Sequence, residues 1–292
     1  MKALVSIKRY ASLVVFAHTV FALPFALIGF SLACMAAPPA RPWLLLLQVL
    51  GCMVTARNSA MSFNRYVDRH IDAKNARTQA RELPSGKLRP QQVLWFWACN
   101  VVLFLLICLS INILCFYLAF PALALLCGYS YVKRYSWLCH FVLGLALSMA
   151  PAGAYIAVCG SLPRAVVWLS ALVLFWTAGF DVLYALPDEA HDKEQGLHSI
   201  PQRFGKVKAL WISGGLHLLV LPLLWAFGQT VAFSSPLLYG LAALLFTGLL
   251  VYQHSIVSPR RLSRLNRAFF TANGIASVVF ATLTIIALFV GF

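Results

Sequence analysis

Residues 101–120 read VVLFLLICLSINILCFYLAF, twenty positions without an ionisable side chain other than Cys or Tyr. One helical crossing of a bilayer takes about 20 such residues. The same texture recurs at Leu237–Val251 and along most of the 292-residue chain, in which apolar residues make up 61% and charged residues 11%. Soluble folds average about 25% charged side chains. Composition therefore predicts an all-α polytopic membrane protein. It excludes extended disorder, a secreted disulfide scaffold and a nucleic-acid-binding domain as the main architecture.

Working outward, apolar runs divided by charge, Pro and Gly predict nine transmembrane helices in one domain, 1–292, around a central cavity. They lie near 12–36, 43–63, 92–110, 112–131, 138–159, 165–185, 208–227, 236–254 and 269–290. The third and fourth nearly fuse at Ser110-Ile111-Asn112, where a short hairpin is expected. The first run follows Lys2, Lys8 and Arg9. Its apolar stretch is longer than the 7–15 residues usual in a signal peptide, so a retained span is expected. The eight cysteines are scattered without a CxxC pair and read as small core residues rather than metal ligands or disulfides.

The net charge is +15. Most of that surplus follows from helix insertion, because cytoplasmic loops are enriched in Lys and Arg. With the N-terminus inside, the inner loops take Arg65–Arg89, Lys133-Arg134, Lys193–Lys208 and Arg260–Arg267, leaving only Arg41 and Arg164 outside. That asymmetry predicts a cytoplasmic N-terminus and a C-terminus outside; the expected location is a bacterial-type inner membrane, with the active site facing the cytoplasm.

Eight acids are distributed far less evenly. Asp68, Asp72 and Glu82 fall in one window, and Asp181, Asp188, Glu189, Asp192 and Glu194 in another. The windows follow the second and sixth spans, so both emerge on the cytoplasmic face, four spans apart, which hints at duplicated halves. Asn64, Asp68 and Asp72, at i, i+4 and i+8, share one helix face. Asp181, Asp188 and Asp192, at i, i+7 and i+11, return to one face as well. Two carboxylate stripes at one depth would repel unless cations lay between them. Mg²⁺ fits, being hard, oxygen-seeking and commonly held by one or two carboxylates with substrate phosphates. The plain alternative is that the acids merely pair with neighbouring bases at a helix end.

Bases accompany the acids: Arg77 and Arg81 after the first stripe, Lys133 and Arg134 between, and Arg203, Lys206 and Lys208 after the second. Carboxylates for Mg²⁺ beside cations for phosphate oxygens make a diphosphate-binding constellation. No GxxxxGK[ST] loop supports a P-loop nucleotide enzyme. A diphosphate site in a membrane protein points to a lipid diphosphate. Arg57 precedes Asn64 by seven residues, on the same face and about two turns deeper. An arginine at that depth is by default functional, with a carboxylate-bearing second substrate as its candidate partner, or else the protein's own polar groups. His18, His70, His191 and His198 read as polar loop or helix-end residues.

The run Asn64-Arg-Tyr-Val-Asp68-Arg-His-Ile-Asp72, continued to Arg81-Glu-Leu-Pro84-Ser-Gly86, resembles the NxxxDxxxD motif of the UbiA superfamily of intramembrane prenyltransferases. Residues 181–199, from Asp181 through Tyr184, Ala185, Asp188 and Asp192 to Gly196 and Ser199, are similar to its second motif, DxxYAxxDxxxD. Tyr131-Val-Lys133-Arg134 is like the central basic loop, and the wording is most similar to the 4-hydroxybenzoate polyprenyltransferases and their relatives. Two departures stand out. Many members carry Asp directly after the motif's Asn, where this chain has Arg65, and Pro187 should kink or restart the helix before Asp188.

The resemblance implies Mg²⁺-dependent transfer of a polyprenyl group from its diphosphate to a small aromatic acid in quinone biosynthesis. Asp68 and Asp72 would hold one Mg²⁺, and Asp188 and Asp192, with Asp181, another. Arg77, Arg81 and Lys133 would bind the diphosphate, Asn64 and Tyr184 would orient substrate or ligand water, and Arg57 would hold the acid. The partners expected are these two substrates and the bilayer, with no nucleic acid and no obligate protein partner. A dihydroxynaphthoate acceptor is the nearer alternative and an anionic-lipid transporter the one from another class.

Overall fold

A computed structural model describes residues 9–14, 21–259, 262, 265 and 267–291. Its helices are α1 (Leu23–Ala36), α2 (Pro42–Lys74), α3 (Pro90–Ile111), α4 (Ile113–Val132), α5 (Cys139–Cys159), α6 (Arg164–Ala185), the short α7 (Glu189–Glu194), α8 (Ile200–Thr230), α9 (Pro236–Ile256) and α10 (Asn273–Phe289). Among the described residues the architecture is all helical, and eight helices are long and apolar enough to cross a bilayer. The expected nine is not confirmed among the described residues. The first predicted span appears as the 14-residue α1, while residues 15–20, His18 among them, lie outside the described residues, as do Lys2, Lys8 and Arg260.

Two boundaries differ from the expectation. The hairpin between the third and fourth spans shrinks to Asn112, whose extended backbone (φ −168°, ψ 165°) ends α3 while its side-chain oxygen accepts the Cys115 N–H at 2.8 Å. A single capping residue thus separates the two spans. The second span, expected to stop at 63, continues as helix to Lys74, 33 residues in all. At 1.5 Å per residue that is about 50 Å, longer than the ~30 Å hydrocarbon layer. Its last three turns carry Asn64, Asp68 and Asp72 beyond the apolar stretch.

α6 is the most enclosed of the long helices. Its Trp176 and Phe180 sit in an aromatic cluster with Phe25 of α1, Phe246 of α9 and Phe280 of α10. Trp176 Nε1 donates to Asn273 Oδ1 at 3.1 Å, satisfying the one polar atom such a ring brings into the core. Lipid is as apolar as the core, so close helix approach rather than water exclusion holds such a bundle. Gly29 of α1 supplies one approach: a Cβ there would lie 2.3 Å from the Pro151 carbonyl oxygen of α5. Gly29→Val should push the two helices apart and destabilise the bundle by about 1–3 kcal/mol. Thermal unfolding of the detergent-solubilised protein measures this, and an unchanged midpoint would refute the account.

Arg41 caps the start of α2 and Arg164 opens α6, and the two helices end at the two acidic windows. The two bases assigned outside and the acids therefore occupy opposite ends of these helices.

Candidate active site

A cavity of about 170 Å³ opens where the C-terminal end of α2 and the loop after it, the α4–α5 loop, the turn that follows α6, and α7 meet. Asp68 and Asp72 from the first window and Asp188 and Asp192 from the second all line it. Local structure explains each placement. The first pair is one turn apart on α2. For the second, Pro187 ends the α-helical ladder as expected: α6 stops at Ala185, a 3₁₀ turn covers Leu186–Asp188, and α7 restarts at Glu189. Gly196, at φ 64°, then reverses the chain after α7, so that Ser199 returns to donate its hydroxyl to Asp192 Oδ2 at 2.8 Å.

Every cavity carboxylate meets a base. Asp68 Oδ1 lies 3.0 Å from Arg134 Nη2, Asp72 Oδ1 2.7 Å from Arg81 Nη1, and Asp192 Oδ1 2.7 Å from Lys133 Nζ. Arg77 grips Asp188 with Nε and Nη2, the Nε–Oδ1 distance being 3.1 Å, and Asn75 adds a hydrogen bond to Oδ1 at 3.1 Å. The windows are cross-linked by these pairs. Arg77, of the first, binds Asp188, of the second; Lys133 and Arg134, adjacent in the loop, turn to opposite windows.

Both Arg77 and Lys133 lie in loops. Burial works against the charge on Arg77, yet the hydrogen bond and charge of Asp188, together with Tyr184, outweigh it and raise its pKa above the ordinary arginine value. Burial likewise opposes the Lys133 ammonium, and Asp192 prevails, holding its pKa above the usual lysine range. Both therefore stay cationic.

The remaining predicted residues lie around this cavity rather than on its wall. Asn64 donates from Nδ2 to Asp68 Oδ2 at 2.9 Å. The Tyr184 hydroxyl accepts from Arg77 Nη1 at 2.9 Å, with the guanidinium 4.8 Å above its ring centre. Arg57 is half-buried on α2, about 10 Å along the axis from Asn64, with Tyr129 and Arg65 as electrostatic neighbours. Asp181 does not reach the cavity: its Oδ2 is 2.6 Å from Nδ1 of His140. Arg65, which departs from the motif, is buried at 7% exposure with Nε directed at the Leu13 carbonyl, 3.5 Å away.

Sequence reasoning assigned no role to Asn75, His140 or Tyr129, and it placed Arg134 among the bases for the diphosphate without foreseeing its pairing with Asp68. Asn75 sits inside the quoted first motif and could have been found there. Tyr129 is in electrostatic reach of Asp68, Asp181, Arg57 and Arg65, a convergence that no local spacing announces.

The donor set suits Mg²⁺, which takes carboxylate oxygen. Asp72, only 6% exposed, has an Oδ2 that is buried without a hydrogen-bond partner among the described residues. A buried carboxylate oxygen left so is costly unless something binds it.

Fold and cavity together define a class: an integral, multi-pass helical membrane protein with an acid–base pocket at one end of its bundle. The chain belongs to the UbiA prenyltransferase family, whose model matches residues 22–275. It is 35% identical over 244 residues to a 4-hydroxybenzoate octaprenyltransferase of Aeromonas hydrophila, covering 83% of each chain. A 4-hydroxybenzoate octaprenyltransferase of Aliivibrio fischeri is 32% identical over 240 residues, with 82% of each chain covered. Among solved structures, a UbiA homologue from Aeropyrum pernix superposes with a TM-score of 0.79 at 25% identity, covering 92% of this chain and 97% of that one. A UbiA homologue from Archaeoglobus fulgidus bound to GPP and Mg²⁺ has the same fold, with a TM-score of 0.77 at 19% identity over 97% and 100% of the chains.

Proposed function

We propose that this enzyme transfers a polyprenyl group from its diphosphate to 4-hydroxybenzoate in quinone biosynthesis, with the cavity facing the cytoplasm. The observation that carries the reading is the convergence of four carboxylates and four bases, from sequence regions more than a hundred residues apart, on one cavity at the end of a membrane bundle. The names of the relatives supply the acceptor. Asp68 and Asp72, and opposite them Asp188 and Asp192, are the residues that would hold Mg²⁺. The ion would neutralise the diphosphate and stabilise it as a leaving group.

What the chain's own residues do is exchange partners. Arg77, Arg81, Lys133 and Arg134 each turn from a carboxylate to phosphate oxygens as substrate enters. Their positive charge then stabilises the pyrophosphate as the allylic C–O bond breaks. Tyr184 and Asn64 keep Arg77 and Asp68 aligned. Arg57, deeper along α2, holds the acceptor's carboxylate, so that the ring carbon ortho to the hydroxyl faces the allylic carbon. That carbon forms the new C–C bond, the pyrophosphate leaves with the electrons of the broken bond, and the ring loses a proton to regain aromaticity. The surrounding apolar helices exclude water, which would otherwise capture the allylic cation.

The deciding experiment incubates membranes containing the protein with Mg²⁺, a polyprenyl diphosphate and either 4-hydroxybenzoate or 1,4-dihydroxy-2-naphthoate, and identifies products by mass. The prenylated hydroxybenzoate with released pyrophosphate is expected. A product from the naphthoate alone would move the enzyme to the menaquinone branch, and no product with either would overturn the reading.

A further inference from the structure

Asp181 leads the second motif yet stays out of the cavity, and what it touches explains why. Its partner His140, on the first turn of α5, is 2% exposed. The other ring nitrogen, Nε2, lies 3.3 Å from the backbone N of Ile200. A backbone N–H can only donate, so Nε2 accepts; Nδ1 then carries the ring hydrogen and donates it to Asp181. Ile200 opens α8, and the residue before it is Ser199, the cap of that helix, whose hydroxyl donates to Asp192. Asp192 is wholly buried and bound to Lys133, while the Lys133 carbonyl accepts the His198 N–H at 2.7 Å. An unbroken chain of contacts runs from α6 through α5 to the start of α8 and back to the cavity wall.

We propose that Asp181 and His140 act as a strut that positions Asp192 by clamping the 198–200 segment, and that Asp181 is not a metal ligand. The proposal deepens the prenyltransferase reading and rests on it only for its catalytic consequence. A carboxylate is suited to the position because it fixes the imidazole tautomer, as carboxylates do behind metal-bound histidines. Here the oriented group is a backbone amide, and through its neighbour the metal-binding carboxylate.

The test has two independent readouts on the purified, detergent-solubilised full chain. In ligand-free protein, amide hydrogen exchange of residues 189–200 should speed up in His140→Leu and in Asp181→Ala, with the double variant no faster than either. If His140→Leu fails to fold, His140→Asn removes only the acceptor for Ile200 and should still accelerate exchange at that amide. Unchanged exchange, or additive effects, would overturn the strut. The second readout is thermal stabilisation by Mg²⁺ with inorganic pyrophosphate. The Mg²⁺ needed for half-maximal stabilisation should rise about 10-fold in His140→Leu and Asp181→Ala. It should stay near the native value in Asp181→Asn, whose amide oxygen still accepts from Nδ1, and rise far more in Asp192→Asn. Asp181→Asn behaving like Asp192→Asn would make Asp181 a ligand and overturn the proposal. If the native protein shows no such stabilisation, the diphosphate reading fails, while the exchange data still decide the strut.

Discussion

Asp72→Asn should lower turnover about 10²–10³-fold, the usual loss when one preorganised electrostatic contact to a developing charge is removed, with the protein still inserted and folded. Asp72 is nearly buried, and its two oxygens have different tasks. Oδ1 receives Arg81 at 2.7 Å, while Oδ2 has no hydrogen bond among the described residues. Asparagine keeps the shape and can still accept from Arg81 through its amide oxygen. It replaces the other oxygen with an NH₂ group that cannot bind a hard cation, and it removes the charge. Rates measured in proteoliposomes over a Mg²⁺ titration should show a lower maximum and a higher Mg²⁺ requirement, with an unaltered unfolding midpoint. Turnover within threefold of native would remove Asp72 from the groups proposed to hold the ion.

Arg57→Ala should raise the KM for 4-hydroxybenzoate about 30-fold or more and leave that for the polyprenyl diphosphate within twofold. Truncating one member of a desolvated, hydrogen-bonded charge pair commonly forfeits at least ~2 kcal/mol. The selectivity of the effect follows from position. Arg57 is not on the wall of the cavity proposed to take the diphosphate, but lies further along α2. Arg57→Lys should recover only part of the loss, since an ammonium keeps the charge but not the two-pronged fork. Equal rises for both substrates would place Arg57 with the diphosphate or with the protein's own structure. Steady-state kinetics with each substrate varied in turn distinguishes these outcomes.

Much of this architecture was legible in the chain. Long apolar runs announce helices because backbone amides in hydrocarbon have no other local way to be satisfied. The first motif could be placed because Asn64, Asp68 and Asp72 lie within one helix, where spacing sets angle. Apolar runs alone did not show that residues 65–74 continue the same helix without a break, because these residues are charged and fall outside the hydropathy pattern that marks a span. Equal exposure of Asp181, Asp188 and Asp192 on one face did not follow from their spacing either. Pro187 divides them between two helices and a 3₁₀ turn, so the i, i+7, i+11 rule has no continuous axis to act on.

Composition and local periodicity by themselves determined the class of fold, the two acidic windows and their shared end of the bundle. Tertiary structure alone decided the partners: Arg77 to Asp188, Lys133 and Arg134 to opposite windows, and Asp181 to a histidine 41 residues earlier in the chain. The reason is one of range. Helix geometry ties together residues within a few turns, whereas a contact across the bundle depends on how several helices pack, and no spacing along one strand of sequence encodes that.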